Sequence, residues 1–300
     1  MEFDSIIVGG GPAGLTAAIY LGRYHLSVLI IDDGKSRAEM IPLSRNLPGF
    51  AQGINGSELL DRMRKQADLY GVSYKQKTVM SLRREEESFA LNTKDSKFAA
   101  ATVLLATGVV NRRPDMPREI HDTGLKRGLI RYCPICDGYE LTDQPIGVLG
   151  RDLHAINEAE FLRSYSANVT LIAPDARPLE ETLRLRMKQL GIKFAEGPCE
   201  FTLKTDLINI STPTGMYQFS ALYPALGSYV RSDLAIDLKA SRSENGCLIV
   251  DRQQSTSIEG LYAAGDVVLG LDQISSAMGQ GSIAATAIRN RIAQNRAILR

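Results

Sequence analysis

The chain has little cysteine and histidine and no tryptophan, with 4 Cys, 3 His and 0 Trp in 300 residues. Four cysteines over that length do not make a disulfide scaffold, and a cytoplasmic, reducing setting fits such usage best. His25, His121 and His154 stand apart in the sequence and form no pair at metal-ligand spacing. A net charge of one sign is also missing: at +1 the chain has no electrostatic pull toward nucleic acid or an anionic membrane surface. No uninterrupted apolar run of ~18 residues occurs, so no spanning helix is expected and membrane association leaves no trace in the sequence. The N-terminus enters a strand without a basic leader, so no secretory signal is expected. What remains is a globular composition, 44% hydrophobic and 23% charged. It has room for one large or two modest domains.

The stretch that carries most chemistry is Arg131-Tyr-Cys133-Pro-Ile-Cys136-Asp137-Gly138. Two cysteines three apart, with a proline between them and an acid after them, suit a small disulfide ring that exchanges electrons in pairs. The competing readings are half of a zinc site and two idle thiols. Zinc needs a second Cys or His pair, and Cys199 and Cys247 stand alone. The redox dithiol is the better reading. Cys199 and Cys247 read as ordinary thiols.

The rest of the chain reads as a machine around that dithiol. Phe3 to Val8 is a buried-strand pattern, Gly9-Gly-Gly11-Pro12-Ala13-Gly14 a turn, Leu15 to Tyr24 a helix, and Val28 to Ile31 a second strand ending in Asp32. Gly9 makes the turn, Gly11 lets backbone approach a pyrophosphate, Gly14 lets helix and strand pack, and Asp32 accepts from a ribose hydroxyl. A dinucleotide site is expected there. Ser57 is the expected N-cap of a helix over residues 59–70, and Arg83 to Glu87 reads as a solvated hairpin tip. A second strand–turn–helix follows, with the strand at 145–150 and the helix at 156–165. There Gly150-Arg151-Asp152 puts an anionic side chain where close approach needs glycine. Near the end, a strand into Ala263-Ala264-Gly265-Asp266 sets a carboxylate and free N–H groups at a strand's C-terminal edge. The alternative is Asp266 as a helix cap. His154 reads as filling a helix face. Tyr132 and Tyr139 read as packing near the dithiol, with stacking on a bound ring or a partner as the second reading.

Taken in order, the markers Gly9–Gly14, Asn46-Leu-Pro-Gly49-Phe50, Ala106-Thr107-Gly108, Cys133-Pro-Ile-Cys136-Asp137, Ala264-Gly265-Asp266 and Gln273 resemble the low-molecular-weight thioredoxin reductases over essentially the whole chain. The resemblance implies an α/β fold of two Rossmann-like domains, the second inserted into the first. Residues 1–117 and 245–300 would form the FAD domain, and 118–244 the central domain with the cysteine pair. It also implies a homodimer acting on a thioredoxin-like protein or another dithiol or disulfide substrate. Carried over, Gly9, Gly11, Pro12, Ala13, Gly14 and Asp32 hold the FAD adenosine and pyrophosphate. Asn46, Ala106, Thr107, Gly108, Gly265, Asp266, Gln273 and Ile274 lie along the ribityl chain and flavin. Cys136 is the flavin-facing thiol, Cys133 the thiol that meets the partner, and Asp137 the acid that moves protons.

The sequence departs from the NADPH-using members at one ligand. Asp152 replaces a glycine, Ala173-Pro174-Asp175 stands where they have His-Arg-Arg, Asp272 replaces an arginine before Gln273, and Gly227-Ser228-Tyr-Val-Arg231 stands for Gly-His-x-Pro-Asn. The chain in this respect is similar to the NADPH-independent branch, and among its members to the diflavin-linked disulfide oxidoreductases. The expectation is an FAD enzyme that exchanges two electrons with Cys133–Cys136, with NADPH unused. A second FAD and a thiol-to-flavin direction belong to that expectation. The readings held beside it are an NADPH-dependent thioredoxin reductase, a ferredoxin-dependent one and a flavin redox sensor.

Overall fold

Short runs of Val and Ile alternate with helices, and in the computed structural model this alternation builds parallel sheets. The structure describes residues 3–298; residues 1–2 and 299–300, at the outer ends of the first and last predicted segments, lie outside the described residues. β1 (Phe3–Val8) leads through α1 (Pro12–Arg23) to β2 (Val28–Asp32). α2 (Gly56–Asp68), β3 (Ser73–Gln76), the β4 (Ser81–Glu85) and β5 (Ser88–Asn92) hairpin, and β6 (Lys97–Leu105) follow. β2 is buried at every position, as a strand covered on both faces must be.

β7 (Val109–Asn111) carries the chain out of this region to α3 (Arg118–Lys126) and the one-turn α4 (Pro134–Asp137). Next come β8 (Ile146–Leu149), α5 (Leu153–Leu162), β9 (Val169–Ile172), α6 (Glu181–Gln189) and β10 (Lys193–Ala195). β11 (Glu200–Leu203), β12 (Ile208–Thr212) and β13 (Gly215–Phe219) form an antiparallel three-stranded sheet, after which β14 (Ala221–Pro224) rejoins β8 in parallel. β15 (Ser228–Val230) pairs antiparallel with β7, so the outgoing and returning chain run side by side. β16 (Leu261–Ala263) and α7 (Ile274–Asn295) complete the first unit.

Two Rossmann-like sheets result, in the expected α/β fold class. The seven-stranded sheet has the order β3-β2-β1-β6-β5-β4, with β16 beside the second half of β6. The parallel four-stranded sheet, β10-β9-β8-β14, comes from the chain between β7 and β15. Register places the chemistry. Val8 is opposite both Ile31 and Leu105, and Leu105 is opposite Ala263. The strands therefore end level, and Gly9, Asp32, Ala106 and Ala264 meet at one sheet edge, where strand order reverses and ligands bind. α1 and α7 pack tightly over this sheet: a Cβ on Gly281 would come within 2.3 Å of the Ala13 carbonyl oxygen.

Several helix starts differ from the sequence reading. α1 begins at Pro12, ahead of Leu15, because Gly11 itself serves as the N-cap and proline suits the first turn. The cap of α2 is Asn55 and not Ser57: its Oδ1 accepts from Ser57 N–H at 2.9 Å and Glu58 N–H at 3.3 Å. α5 begins at Leu153, ahead of Ile156, because the Asp152 carboxylate caps it. The Arg83–Glu87 run is a hairpin tip, although Arg84 also reaches Glu259 at 3.2 Å. Among the described residues no helix is long and apolar enough to cross a membrane.

Candidate active site

A cleft opens along the C-terminal edge of the larger sheet. Gly9, Gly11, Pro12, Ala13, Asp32, Ala106, Thr107, Gly108, Gly265, Asp266, Gln273 and Ile274 line it, and so do Cys133, Cys136 and Asp137. Gly14 and Asn46 are the two predicted residues outside the lining. Gly14 packs α1 on β1, where a Cβ would lie 2.0 Å from the Gly9 carbonyl oxygen. Asn46 stands behind Gln273, to which it donates a hydrogen bond at 2.9 Å.

The adenosine end follows from the first turn. Gly9 has φ +111°, and a Cβ there would sit 2.3 Å from the Ala106 carbonyl oxygen, so only glycine closes this turn. Gly11 caps α1 without a side chain, which leaves the first N–H groups of the helix turned to the cleft. Asp32 is buried, and its Oδ2 accepts from the Tyr74 hydroxyl at 2.7 Å with Arg64 at 3.8 Å. That bond and burial push the Tyr74 phenol up to about 12, burial contributing most. A glycine cradle, an open helix N-terminus and a fixed carboxylate at the end of β2 fit a dinucleotide's pyrophosphate and ribose.

The middle of the cleft holds a cation that no motif announced. Arg37 Nη1 donates to Asp266 Oδ2 at 3.1 Å and to Asp272 Oδ2 at 3.2 Å. Asp266 is thus an ion-pair partner and not a helix cap; Gln273 takes the N-cap position of α7. Burial first, then the neighbouring Asp266 charge, raise the Asp272 carboxyl to about 6 against the pull of Arg37. Arg37 opens a single 3-10 turn too short to show periodicity, and its partners are more than 200 residues away, so sequence gives no signal for it. Thr107 Oγ1 donates to the Arg231 carbonyl at 2.5 Å, and the Arg231 side chain pairs with Asp33 at 2.6 Å. Both bonds tie the end of β15 to the rim of the cleft.

At the far end Cys133 and Cys136 are joined in a disulfide. Cys133 caps α4, and its Sγ accepts from the Cys136 N–H at 3.1 Å. Such a donor favours the thiolate of Cys133 when the bridge opens. Gln273 Nε2 donates to Cys133 Sγ at 3.3 Å and to Cys136 Sγ at 3.4 Å. A relay of side chains, Ser44 to Asn46 to Gln273 to the disulfide, therefore holds the bridge at the cleft. Beside it Asp137 accepts from the Tyr223 hydroxyl at 2.6 Å, and burial raises its carboxyl above the usual range despite Arg131 nearby. Tyr132 packs as expected: half-buried, its hydroxyl lies 2.8 Å from His121 Nε2. Tyr139 does not; it is 76% exposed, because the turn after α4 points outward.

The second strand–turn–helix is differently furnished. Asp152 Oδ1 accepts from the Ala155 N–H at 3.0 Å, so the N-terminus of α5 is closed by the protein's own carboxylate. Arg151 pairs with Asp175 and donates to the Pro178 carbonyl at 2.8 Å, bracing the loop after β9. Arg177 pairs with the same Asp175 at 2.6 Å. The cations beside this turn are already matched by a carboxylate. His154 lies on a helix face as expected, a solvent-facing one: it is more than half exposed and pairs with Glu158, one turn on, at 3.1 Å. Cys199 is half-buried, and burial lifts its thiol to about 11, which suits an unreactive thiol.

Comparison with known proteins bears on the fold and on the disulfide cleft. The family model described as pyridine nucleotide-disulphide oxidoreductase matches residues 3–281. The thioredoxin reductase of Mycolicibacterium smegmatis is 30% identical over 282 residues, which cover 88% of each chain. That of Treponema pallidum (strain Nichols) is 29% identical over 304 residues, covering 97% of each. Among solved structures, the thioredoxin reductase from Streptococcus pyogenes MGAS5005 superposes with a TM-score of 0.87 at 28% identity, covering 97% of this chain and 98% of that one.

Proposed function

The chain belongs to the pyridine nucleotide-disulphide oxidoreductase family, and from that premise we propose an FAD enzyme that exchanges two electrons with its Cys133–Cys136 pair without drawing hydride from NADPH. The coarser part is secure: the chain is a disulfide oxidoreductase of the thioredoxin reductase type, a flavin enzyme. The observation that carries the finer reading is a contrast between two turns. Gly9–Gly14 leaves a helix N-terminus open to the cleft that holds the disulfide, whereas Asp152 closes the corresponding N-terminus of α5. A phosphate at the second turn would meet a carboxylate.

In this reading the glycines at the start of α1 hold the FAD pyrophosphate, Asp32 the adenosine ribose, and Asn46, Thr107, Asp266, Gln273 and Ile274 the flavin half. When bound, FAD supplies a two-electron donor and acceptor that side chains lack. The protein's part is position. Gln273 and Asn46 fix the disulfide at the cleft, and the Cys136 N–H steadies the Cys133 thiolate for exchange with a thioredoxin-like partner. Residues 118–244 form the inserted domain, pivoting on β7 and β15 between the cleft and the partner, with residues 1–117 and 245–300 as the flavin domain of a homodimer. Cys199 and Cys247 remain free thiols, which fits a reducing, cytoplasmic setting.

The test is an anaerobic spectral titration of the flavin-loaded protein. A dithiol is expected to bleach the flavin while NADPH leaves it oxidised. Flavin per chain is read from the same samples: about two marks the diflavin arrangement, to which we assign the thiol-to-flavin direction, and about one a protein donor such as ferredoxin. The relatives are thioredoxin reductases, which favours the other reading, an NADPH-dependent enzyme. Bleaching by NADPH within seconds would establish that reading and sink ours.

A further inference from the structure

Tyr223 is the largest fully buried side chain, 0% exposed, in β14 among Ile146, Val148, Ala155 and Leu171. A phenol hydroxyl in such a core is costly without a partner. Its partner is Asp137, whose Oδ1 accepts from the hydroxyl at 2.6 Å. The other carboxylate oxygen, Oδ2, lies 3.7 Å from Arg131 Nη1. That guanidinium cannot swing away freely. It donates to the Asp137 backbone carbonyl at 2.9 Å and to the Gly128 carbonyl at 2.8 Å. Main-chain pairing brings both residues to this spot: Ile130 bridges to Leu222, and the Arg131 N–H donates to the Leu222 carbonyl at 2.9 Å. The acid next to Cys136 is therefore gripped from two sides.

We propose that Tyr223 and Arg131 are positioning residues that hold Asp137 as the group exchanging a proton with Cys136 each time the disulfide opens or closes. The inference rests on the redox role proposed above for the cysteine pair. The step balances as follows. An incoming thiolate bonds to Cys133 Sγ, the Cys133–Cys136 bond breaks, and Cys136 leaves with the electron pair. Protonated Asp137 gives it a proton, ending as the carboxylate beside a Cys136 thiol. In the reverse direction the carboxylate takes that proton as Cys136 attacks.

The environment suits both halves of the cycle. Burial raises the Asp137 carboxyl first of all; Arg131 and then the Tyr223 hydroxyl pull it down, and Glu140 raises it slightly. Glu140 itself faces Arg45 at 4.0 Å. Burial thus favours the protonated acid while Arg131 and Tyr223 favour the carboxylate, so each of the two forms that the cycle uses has its own support.

The experiment follows disulfide opening in the flavin-loaded protein by mass-tagging of Cys136 while a small dithiol attacks across a range of pH. The rate is normalised to the attacking thiolate. The wild-type rate is expected to fall as pH rises through the Asp137 titration. Tyr223→Phe is expected to move that inflection up by about one pH unit, the lower end of what a hydrogen bond to a charged group is worth. Arg131→Met moves it the same way, and carries the test alone if Tyr223→Phe does not fold. Asp137→Asn is expected to abolish the inflection, and adding Tyr223→Phe to it to change nothing more. A lowered rate with an unmoved inflection, or a Tyr223→Phe effect that persists in Asp137→Asn, would overturn the proposal. Tagging reads the cysteines and not the flavin, so a failure of the electron-transfer reading leaves this outcome separately visible.

Discussion

Gln273→Leu should uncouple the disulfide from the cleft without touching either cysteine. Gln273 makes three polar contacts there: it donates to the two sulfurs at 3.3 and 3.4 Å and accepts from Asn46 at 2.9 Å. Bonds to sulfur are long and weak, whereas the amide–amide bond contributes about 1 kcal/mol net. Leucine removes all three and strands Asn46 Nδ2, whose remaining acceptor is the Ile135 carbonyl at 3.4 Å. The sum is about 2 kcal/mol, or about thirtyfold against the pose that holds the bridge at the cleft. Stopped-flow absorbance with a dithiol in the first syringe reads this directly. Electron transfer to the flavin should slow by about ten- to thirtyfold, with the rate counted per bound flavin because the proposed reading also sets Gln273 beside the flavin. Gln273→Glu, which keeps an acceptor for Asn46 but no donor for sulfur, should fall between. A Gln273→Leu rate within about twofold of wild type would refute the idea that this relay sets the pose.

Gly281→Ala should drive α7 off α1, because the new methyl meets the Ala13 carbonyl at 2.3 Å; a loss of about 2 kcal/mol is expected from thermal unfolding, with faster flavin release on dilution. Asp272 should make stability pH-dependent. Its carboxyl is raised to about 6 in the folded chain, so its contribution is fully present below the unfolded value and is lost as pH rises through 6. Asp272→Asn should therefore raise Tm at pH 7 relative to pH 5. The effect stays below about 1 kcal/mol because the side chain is 40% exposed, and an unchanged slope of Tm against pH would refute it. Asp152→Gly should cost only a few tenths of a kcal/mol in helix capping while opening the N-terminus of α5. Calorimetric titration should then find NADPH binding that the wild type lacks, and equal binding by both would show that the carboxylate does not guard this turn.

Local patterns carried the sequence reading, and distance limited it. The Gly9–Gly14 turn was legible because its strand, helix and closing acid lie within one short stretch. The level strand ends then gathered Ala106 and Asp266 to the same edge, as the doubly wound pattern requires. The cap of α2 was misread because Asn55 and Ser57 are both good caps two residues apart, and only backbone angles choose between them. Tyr139 was misplaced because the direction of a one-turn helix's exit leaves no periodic signal. Arg37 and Tyr223 stayed invisible for a different reason. Each meets an acid through tertiary pairing: Arg37 and Asp266 are 229 residues apart, and Tyr223 and Asp137 are 86. A lone arginine in a loop or a tyrosine in an apolar strand looks the same with or without such a partner.

The pairing of β7 with β15 has an evolutionary side. A chain that departs and returns through adjoining strands makes the stretch between them a cassette, plugged into its host at one socket. Inside the cassette, residues such as Asp152 and Asp175 are free to drift toward a new ligand or none, because the host sheet folds on contacts of its own. One ancestral redox scaffold could in this way change its source of electrons by rewriting the insert while its flavin cradle stayed as it was.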